Sequence, residues 1–482
     1  MTHPVGPLPP LTPEVFYAYA KCPNWAYWDL FGDPAKKGSV PPMLQRLRED
    51  GVLHEKEVIA RLGAFEEAPS RMAVSDAATE TLELMRRGSA LIYQGTLADG
   101  DWAGRPDLLR RVPGSSKFGD WMYEAVDIKS SRQVSDVHKL QLVFYALLLK
   151  KVQGVKPDEG RIINIDGDEL SFPIDEAEPD FFEALDRILA IRAGEKPQAL
   201  FTSSCKDSPW YEECKREAEE ADDIGLLYKI YKSEYRRLRE AGYRTLAQLA
   251  AADLATLQES VRGVSGHRLE RLRLQAQSLH EKKDIRIEDP GLPVSDVELF
   301  FDIEGDPMIG LEYLHGLLIR ENGTERYRAF TAEAPEDEGA AWLSFCDFIE
   351  GYAGAPIYHY GWYELDAIRR LGAKHGISRK AAIALDPSNM IDLNRVAQRS
   401  VIFPLYFYSL KDVARHLGFR WRAADASGAN SVLWFQEWRE KGDRALLRKI
   451  TDYNEDDVRA TAVLKDWLAF QSPPGCGTPD VR

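Results

Sequence analysis

The chain has 482 residues, of which 44% are hydrophobic and 29% charged, and it carries a formal net charge of −15 at pH 7. This length predicts about three domains, and the composition supplies ample material for packed cores. A charge this negative means that any contact with nucleic acid depends on bound metal ions or on local basic patches. No apolar run is long enough for a bilayer-spanning helix, and the N-terminus lacks the basic start and apolar core of a signal peptide. We therefore expect a cytoplasmic protein without a membrane partner, and five cysteines in this length do not indicate a disulfide framework.

From residue 11 to about residue 220 the pattern mixes helices with short strands. Residues 45–62 and 135–152 predict helices, because apolar residues recur in them at helical spacing. Residues 123–129 predict a strand.

Two acids and a lysine stand at or near this predicted strand. Alternation puts Asp127 and Lys129 on one face, and Asp107 lies upstream at a predicted turn. Two carboxylates can hold a divalent metal, and a lysine beside them can orient or activate the attacking water. Gln141 and Tyr145 are four residues apart and share a face of the following helix. The alternative is a surface strand that carries an ion pair.

The segments RPDLLRR, YEAVDIKSS and HKLQLVFYALL, in this order, resemble the PD-(D/E)XK nucleases of the RecB-like type. The resemblance implies a restriction-endonuclease-like domain over residues 1–220. It implies three metal ligands, which are His54, Asp107 and Asp127. It further implies that Lys129 assists catalysis and that the helix face with Gln141 and Tyr145 contacts nucleic acid.

Three cysteines match three of the four positions with which many relatives of this type hold an iron–sulfur cluster. Cys22 takes the early position, and Cys205 and Cys214 take the first and third places of the late group. Ser208 stands at the second place, and a neutral serine is a poor substitute for a thiolate ligand. We therefore expect a degenerate iron–sulfur site whose residues still lie close together. A bound cluster is the alternative.

Residues 221–290 predict a helical domain. Within them, a glycine turn, a short helix and a second glycine turn resemble a helix-hairpin-helix element, whose turn amides can hold a DNA phosphate. A plain helical linker is the alternative. Residues 285–296, IRIEDPGLPVSD, predict a linker to the next domain.

From residue 297 onward, strands alternate with helices in the order of a layered α/β domain. Asp302 and Glu304 lie two apart on the predicted strand LFFDIEG, so they share a face. Tyr453 and Asp457 lie four apart on a predicted helix and also share a face. Between them, YHYGWYELDAI ends a strand and opens a helix. The alternative is an α/β domain with acidic strand ends.

These three motifs resemble the DnaQ-like 3′–5′ exonucleases of ribonuclease H fold, in the DEDDy subgroup whose last motif carries a tyrosine. The resemblance implies a mixed-sheet domain over residues 295–472 and two metal ions about 4 Å apart. It implies four acidic metal ligands, which are Asp302, Glu304, Glu364 and Asp457. Tyr453 would position the attacking water.

The second motif departs from the family, because Glu364 stands where an aspartate is typical. Asp366 is the alternative ligand, but two positions along a helix place it on roughly the opposite side. In the last motif Asp457 precedes Val458 as in the family, which favours it over Asp456.

As a whole the chain resembles the RecB-like nucleases that join an N-terminal PD-(D/E)XK domain to a C-terminal YprB-type ribonuclease H-like domain. We expect an α/β multidomain enzyme that uses Mg²⁺ or Mn²⁺ as a DNA exonuclease in DNA repair or processing. A separate helicase is an expected partner. The alternatives are a nucleic-acid-binding or scaffold protein in which one or both sites are degenerate, and a nuclease that cuts RNA.

Overall fold

The computed structural model describes residues 8–39, 42–69, 72–198, 200–307, 309–425 and 427–470. The chain forms two compact units, Met1–Glu219 and Glu220–Arg482. The predicted helical segment and the predicted C-terminal domain both lie in the second unit. Residues 1–7 and 471–472, at the outer ends of the predicted first and third domains, lie outside the described residues. No helix in the described part of the chain is both long and apolar enough to cross a membrane.

The first unit contains helices around a mixed sheet. Its helices are α1 (Pro13–Lys21), α2 (Pro23–Phe31), α3 (Pro42–Arg61), α4 (Val74–Arg87), α5 (Asp136–Gln153), α6 (Ile174–Arg192) and α7 (Tyr211–Glu220). Its strands are β1 (Glu66–Glu67), β2 (Leu91–Tyr93), β3 (Leu97–Asp99), β4 (Trp102–Gly104), β5 (Leu108–Ser116), β6 (Gly119–Ile128), β7 (Glu159–Ile163) and β8 (Glu169–Pro173). The sheet order is β1-β2-β5-β6-β7-β8, with β5 antiparallel and β7 parallel to β6.

Strand β6 lies in the interior of the sheet. Its side chains point alternately to the two faces of the sheet, so they pack in two different layers. Tyr123 and Ala125 pack in the core formed with α5, whereas Val126 and Ile128 pack in the core formed with α3. Asp127, in phase with Ala125, is therefore on the α5 side. Helix α5 begins at Ser135, whose side chain accepts a hydrogen bond from the His138 amide in a capping box.

The second unit holds the remaining elements. Its helices are α8 (Lys232–Glu240), α9 (Leu246–Ala250), α10 (Leu254–Ser260), α11 (Gly266–Glu281), α12 (Glu338–Ile349), α13 (Tyr363–His375), α14 (Arg379–Ala384), α15 (Leu393–Ser400), α16 (Leu410–His416), α17 (Gly428–Lys441) and α18 (Arg444–Phe470). Its strands are β9 (Ile285–Arg286), β10 (Val297–Asp306), β11 (Leu311–Glu321), β12 (Thr324–Thr331), β13 (Ile357–His359), β14 (Met390–Asp392) and β15 (Val401–Ile402).

The helical segment contacts the rest of the second unit just before α8 and through α11. Tyr228 stacks on Tyr408 with ring centroids 4.2 Å apart, and the hydroxyl of Ser278 donates to the carbonyl of Ile402 at 3.4 Å. The prediction that residues 285–296 form a linker is wrong for their first two residues, because Ile285 in β9 pairs with Ile402 in β15.

The main sheet of the second unit has the order β12-β11-β10-β13-β14 and is mixed. Strand β10 is antiparallel to β11 and parallel to β13. Phe301 and Ile303 pack against α12 and α13 on one face, while Phe300 packs against α18 on the other. Burial on both faces explains why β10 is almost continuously apolar around its acids. The predicted mixed α/β multidomain architecture is confirmed.

Candidate metal centre

Three acids of the second unit converge at one end of the main sheet. Asp302 and Glu304 come from β10, and Asp457 comes from α18, with one oxygen of each within 4.8 Å of the others. Among the residues that the structure describes, these acids are the one group in which at least three Asp, Glu, His or Cys ligand atoms lie within 4.8 Å of one another. The strand register shifts between Glu304 and Gly305, which marks a bulge directly after the second acid.

Glu304 and Asp457 are buried and Asp302 is partly buried, so the charges of these acids repel one another strongly. Burial, followed by the charges of Glu304, Asp457 and Glu364, raises the pKa of Asp302 well above its usual range. Burial and then the charge of Asp457 raise the pKa of Glu304 to about 8. Burial also raises the pKa of Asp457 to about 6, although a hydrogen bond from Trp421 opposes this rise. A divalent cation would relieve this repulsion.

Neutral donors hold one oxygen of two of the acids. The Asn454 amide donates to Asp302 Oδ2 at 2.7 Å and accepts from the hydroxyl of Tyr327 at 2.8 Å. The indole of Trp421 donates to Asp457 Oδ1 at 2.6 Å.

Glu364 and Asp366 take opposite environments in the first turn of α13. Glu364 is buried, and its charge contributes to the raised pKa of Asp302, so it lies within electrostatic range of the three-acid group, although it is not one of the donors within 4.8 Å of one another. Asp366 instead accepts from the guanidinium of Arg370 at 2.9 Å. The structure thus places Glu364, the ligand favoured from the sequence, near the other acids.

The structure also separates Asp457 from its neighbour Asp456. Arg422 contacts Asp456 twice, through its amide nitrogen and through Nε, each at 2.8 Å. Asp456 is therefore engaged in an ion pair, while Asp457 faces the acids of β10.

Tyr453 and Lys411 flank the acids. Burial, followed by the charge of Asp457, raises the pKa of Tyr453 well above its usual range. The ammonium of Lys411 lies 4.8 Å from the centre of the Tyr453 ring. Burial and the charge of Arg415 lower the pKa of Lys411, although Asp457 opposes this.

Sequence reasoning missed four residues of this site, which are Tyr327, Lys411, Trp421 and Asn454. Asn454 stands three residues before Asp457, and this helical spacing is a signal that could have identified it. Tyr327 and Trp421 come from a distant strand and a loop, and nothing in their local sequence marks them.

The donor set fits divalent cations such as Mg²⁺ or Mn²⁺. All the converging atoms are carboxylate oxygens, which such ions prefer. Glu364 Oε2 is buried without a hydrogen-bond partner, so a donor or a cation is missing beside it. Asp302, Glu304, Glu364 and Asp457 would hold the metal.

In the first unit, Asp107, Asp127 and Lys129 also come together. The Lys129 ammonium lies 3.1 Å from Asp127 Oδ2, and Asp107 Oδ2 accepts from the Ile128 amide at 2.7 Å. Burial, and then the charge of Asp127, raise the pKa of Asp107 to about 8. Burial lowers the pKa of Lys129, but the charges of Asp127 and Asp107 outweigh it and leave that pKa raised.

The predicted helix face of α5 lies beside these acids. Tyr145 is buried, its hydroxyl donates to the Arg105 carbonyl at 3.0 Å, and Gln141 donates to that hydroxyl at 3.4 Å. His138 was not predicted as a site residue. Burial, followed by the charge of Lys129, lowers its pKa to about 4, although Asp127 opposes this.

His54 does not join Asp107 and Asp127 in a three-donor group of the described structure. Its Nε2 lies 3.1 Å from the carbonyl of Asn164, to which it donates. The neighbouring Glu55, which the sequence did not single out, adds to the rise in the pKa of Asp107 and accepts from Gln94 at 2.6 Å.

The three cysteines of the predicted degenerate cluster site lie near one another. Cys22 Sγ is 3.9 Å from Cys205 Sγ. The contact with Cys205 lowers the pKa of Cys22, but a contact with Cys214 and burial raise it to about 11. Ser208 is buried, and its hydroxyl accepts from the Trp210 amide at 3.1 Å, so it is already engaged.

Comparison with known proteins bears on the second unit. No curated protein matches this chain. Residues 299–469, which contain the three converging acids and Glu364, match the model of the RNase H superfamily. The C-terminal domain is thus RNase H-like, which indicates a nuclease-type hydrolase that acts on nucleic acid and has an acidic group able to hold a metal ion.

Proposed function

We propose that this protein is a metal-dependent nuclease, and that its C-terminal site is a 3′–5′ DNA exonuclease of the DEDDy type. The observation that carries the proposal is the convergence of Asp302, Glu304 and Asp457, with Glu364 near them, in an RNase H-like domain. The biological role that fits best is DNA repair or processing, with a separate helicase as partner.

The residues of the site have different roles in the proposed reaction. The four acids would hold Mg²⁺ or Mn²⁺, which would lower the pKa of the attacking water and offset charge on the phosphate. Asn454 and Trp421 keep Asp302 and Asp457 oriented, and the hydroxyl of Tyr453 orients the water. Trp362, two residues before Glu364, is 72% exposed and offers a base a stacking surface.

The proposal extends to the first unit as a second nuclease domain of the PD-(D/E)XK type. Asp107 and Asp127 would hold a metal there, and Lys129 would assist catalysis. Gln141 and Tyr145 would act through the backbone at Arg105, two residues before Asp107, since Tyr145 is buried. The Nε2 of His54 is engaged with the carbonyl of Asn164, so only its Nδ1 would be available to such a metal.

Two further assignments belong to the proposal. The positive φ angles of Gly242 and Gly263, 96° and 78°, support the helix-hairpin-helix-like turns of the helical segment 221–290. The cysteines Cys22, Cys205 and Cys214 represent an iron–sulfur site that has lost one ligand, because Ser208 bonds to backbone instead.

Cleavage assays on end-labelled single-stranded and double-stranded DNA and RNA, with Mg²⁺ or Mn²⁺, test the function. Asp302→Asn in a Lys129→Ala background is expected to abolish cleavage, because it removes charge from the metal ligands of the only remaining site. Asp366→Asn is the matched control, since this neighbouring aspartate pairs with Arg370 outside the acid group.

The activity of each site is measured in protein whose other site has been disabled. Lys129→Ala alone should remove the activity of the first unit and leave that of the C-terminal site. If Asp302→Asn with Lys129→Ala cleaves as well as the parent protein, the activity does not arise at these two sites and the site assignment is wrong. If the parent protein itself cleaves none of the substrates, the scaffold alternative stands. If the protein cleaves RNA better than DNA in the same assay, its substrate is RNA and the assignment of DNA is wrong.

A further inference from the structure

The side chain of His359, at the carboxyl end of β13, is an unexplained buried polar group. It is 0% exposed, and neither of its ring nitrogens has a hydrogen-bond partner. Buried polar atoms are nearly always paired, because an unpaired one loses its hydration without compensation. A second histidine, His315 in β11, is equally buried and unpaired, but it lies among Trp342 and Phe345.

What distinguishes His359 is the group opposite it. Its Nδ1 lies 3.5 Å from Oε2 of Glu364, and this oxygen is also buried without a hydrogen-bond partner. Two unpaired groups therefore face each other, one a possible donor and the other an acceptor. At 3.5 Å the contact is at the outer limit of a hydrogen bond, and such contacts tighten when an active site is loaded.

The other acids show what such a contact does. Asn454 holds one oxygen of Asp302, and Trp421 holds one oxygen of Asp457. Glu364 has one more rotatable bond than the aspartate for which it stands, so its carboxylate needs such a restraint more than theirs do. His359 is the neutral donor placed to supply it.

We propose that His359 is a positioning residue, which donates a hydrogen bond from Nδ1 to Glu364 Oε2 and so holds that carboxylate for metal binding. The inference rests on the proposed function of the C-terminal site. It explains how this chain uses a glutamate in the second motif, since the histidine fixes the longer side chain from the side away from the metal.

Mn²⁺ binding to the full-length Lys129→Ala protein, measured by calorimetry, tests the proposal without a cleavage readout. His359→Leu fills the space but cannot donate, and it is expected to weaken Mn²⁺ binding by about 10-fold or more. His359→Asn places an amide donor near the position of Nδ1 and should restore binding to within about 3-fold of the parent. His315→Leu, the matched buried histidine, should leave the affinity unchanged.

A second background separates positioning from a general effect on the fold. In Glu364→Ala protein there is no carboxylate to hold, so adding His359→Leu should cause no further loss of affinity. An equal further loss there, or parent-like Mn²⁺ binding by His359→Leu in the presence of Glu364, would overturn the proposal. If His359→Leu does not fold, Glu364→Asp serves, because it draws the carboxylate away from Nδ1, and unchanged affinity would then refute the inference.

Failure of the proposed function gives a different result. In that case the parent protein binds no Mn²⁺ at this site, and Asp302→Asn does not change the titration. If Asp302→Asn weakens Mn²⁺ binding but His359→Leu does not, the inference about His359 is wrong and the proposed function stands.

Discussion

Asp302, Glu304 and Asp457 are better proton acceptors in this fold than free carboxylates are. The pKa values of about 8 for Glu304 and about 6 for Asp457 follow from burial and mutual repulsion, and the pKa of Asp302 is raised as well. An isolated acid in water would titrate near pH 4. The metal-free site therefore holds protons at neutral pH that a metal ion must displace.

The protons held by these three acids predict how metal binding depends on pH. Mn²⁺ affinity should rise as the pH rises from about 5 to about 8, with release of protons, because the ion binds the ionised carboxylates. Without metal, the folded state holds these protons more tightly than the unfolded state does. Stability should therefore fall as the pH rises from the unfolded pKa values near 4 towards about 8.

Thermal unfolding with and without Mn²⁺ across this pH range measures both effects. The upward shift in Tm caused by Mn²⁺ should grow with pH, and Asp366→Asn should keep this trend. A shift that is independent of pH would show that the acids are already ionised in the metal-free protein.

At the scale of elements, β11 and α18 meet at a glycine that faces the site. Gly316 in β11 pairs with Asp302 in β10, and Asn454 of α18 sits directly above it. A Cβ at Gly316 would lie 1.5 Å from Asn454 Oδ1. The absence of a side chain at Gly316 thus lets Asn454 reach Asp302.

Gly316→Ala should consequently displace Asn454 and release Asp302. Overpacking of this kind costs about 1–3 kcal/mol of unfolding free energy, and Mn²⁺ binding should weaken together with stability. Chemical denaturation and Mn²⁺ calorimetry measure the two effects. Gly323→Ala is a control for the loss of a glycine from the same hairpin, because its Cβ would meet no atom within 4 Å, although its φ of 76° adds backbone strain. Equal Mn²⁺ affinity for Gly316→Ala and the parent would contradict this reading of the contact.

Local patterns predicted the elements that carry the acids but not the groups that hold them. Alternation in β10 put Asp302 and Glu304 on one face, and helical spacing separated Glu364 from Asp366. The donor Trp421 reaches Asp457 from 36 residues away, a separation that periodicity does not encode. His359 stands close to Glu364 in sequence, but one is in β13 and the other in α13, so neither strand nor helix periodicity relates them. Pairing of Ile285 with Ile402 was missed for the same reason, since two-residue strands carry too little pattern to be recognised.

At the scale of the whole molecule, the two candidate sites belong to separate compact units. Every contact described for the C-terminal site joins residues of Glu220–Arg482, and those for Asp107, Asp127 and Lys129 join residues of Met1–Glu219. The length and motif order of the chain predicted two nuclease-type sites. The C-terminal one lies within the residues that match the RNase H superfamily model.

We therefore expect the fragment 220–470 to fold alone and to bind Mn²⁺ with the affinity of the same site in the full chain. Its hydrophobic clusters and the donors to its acids are all internal to it. Circular dichroism and calorimetry on the purified fragment test this, with Asp302→Asn as the variant that should lose Mn²⁺. An unfolded fragment would show that the first unit is needed for its stability.

The crowded carboxylates of the C-terminal site also govern the order in which reactants can assemble. As long as they are ionised and uncompensated, they repel a phosphate at short range, and cation loading reverses the sign of this local field. A chain end should thus be captured productively only after the ions are in place. In rapid mixing, protein preincubated with Mg²⁺ should cleave without delay when DNA arrives, whereas protein preincubated with DNA should show a lag before its first turnover.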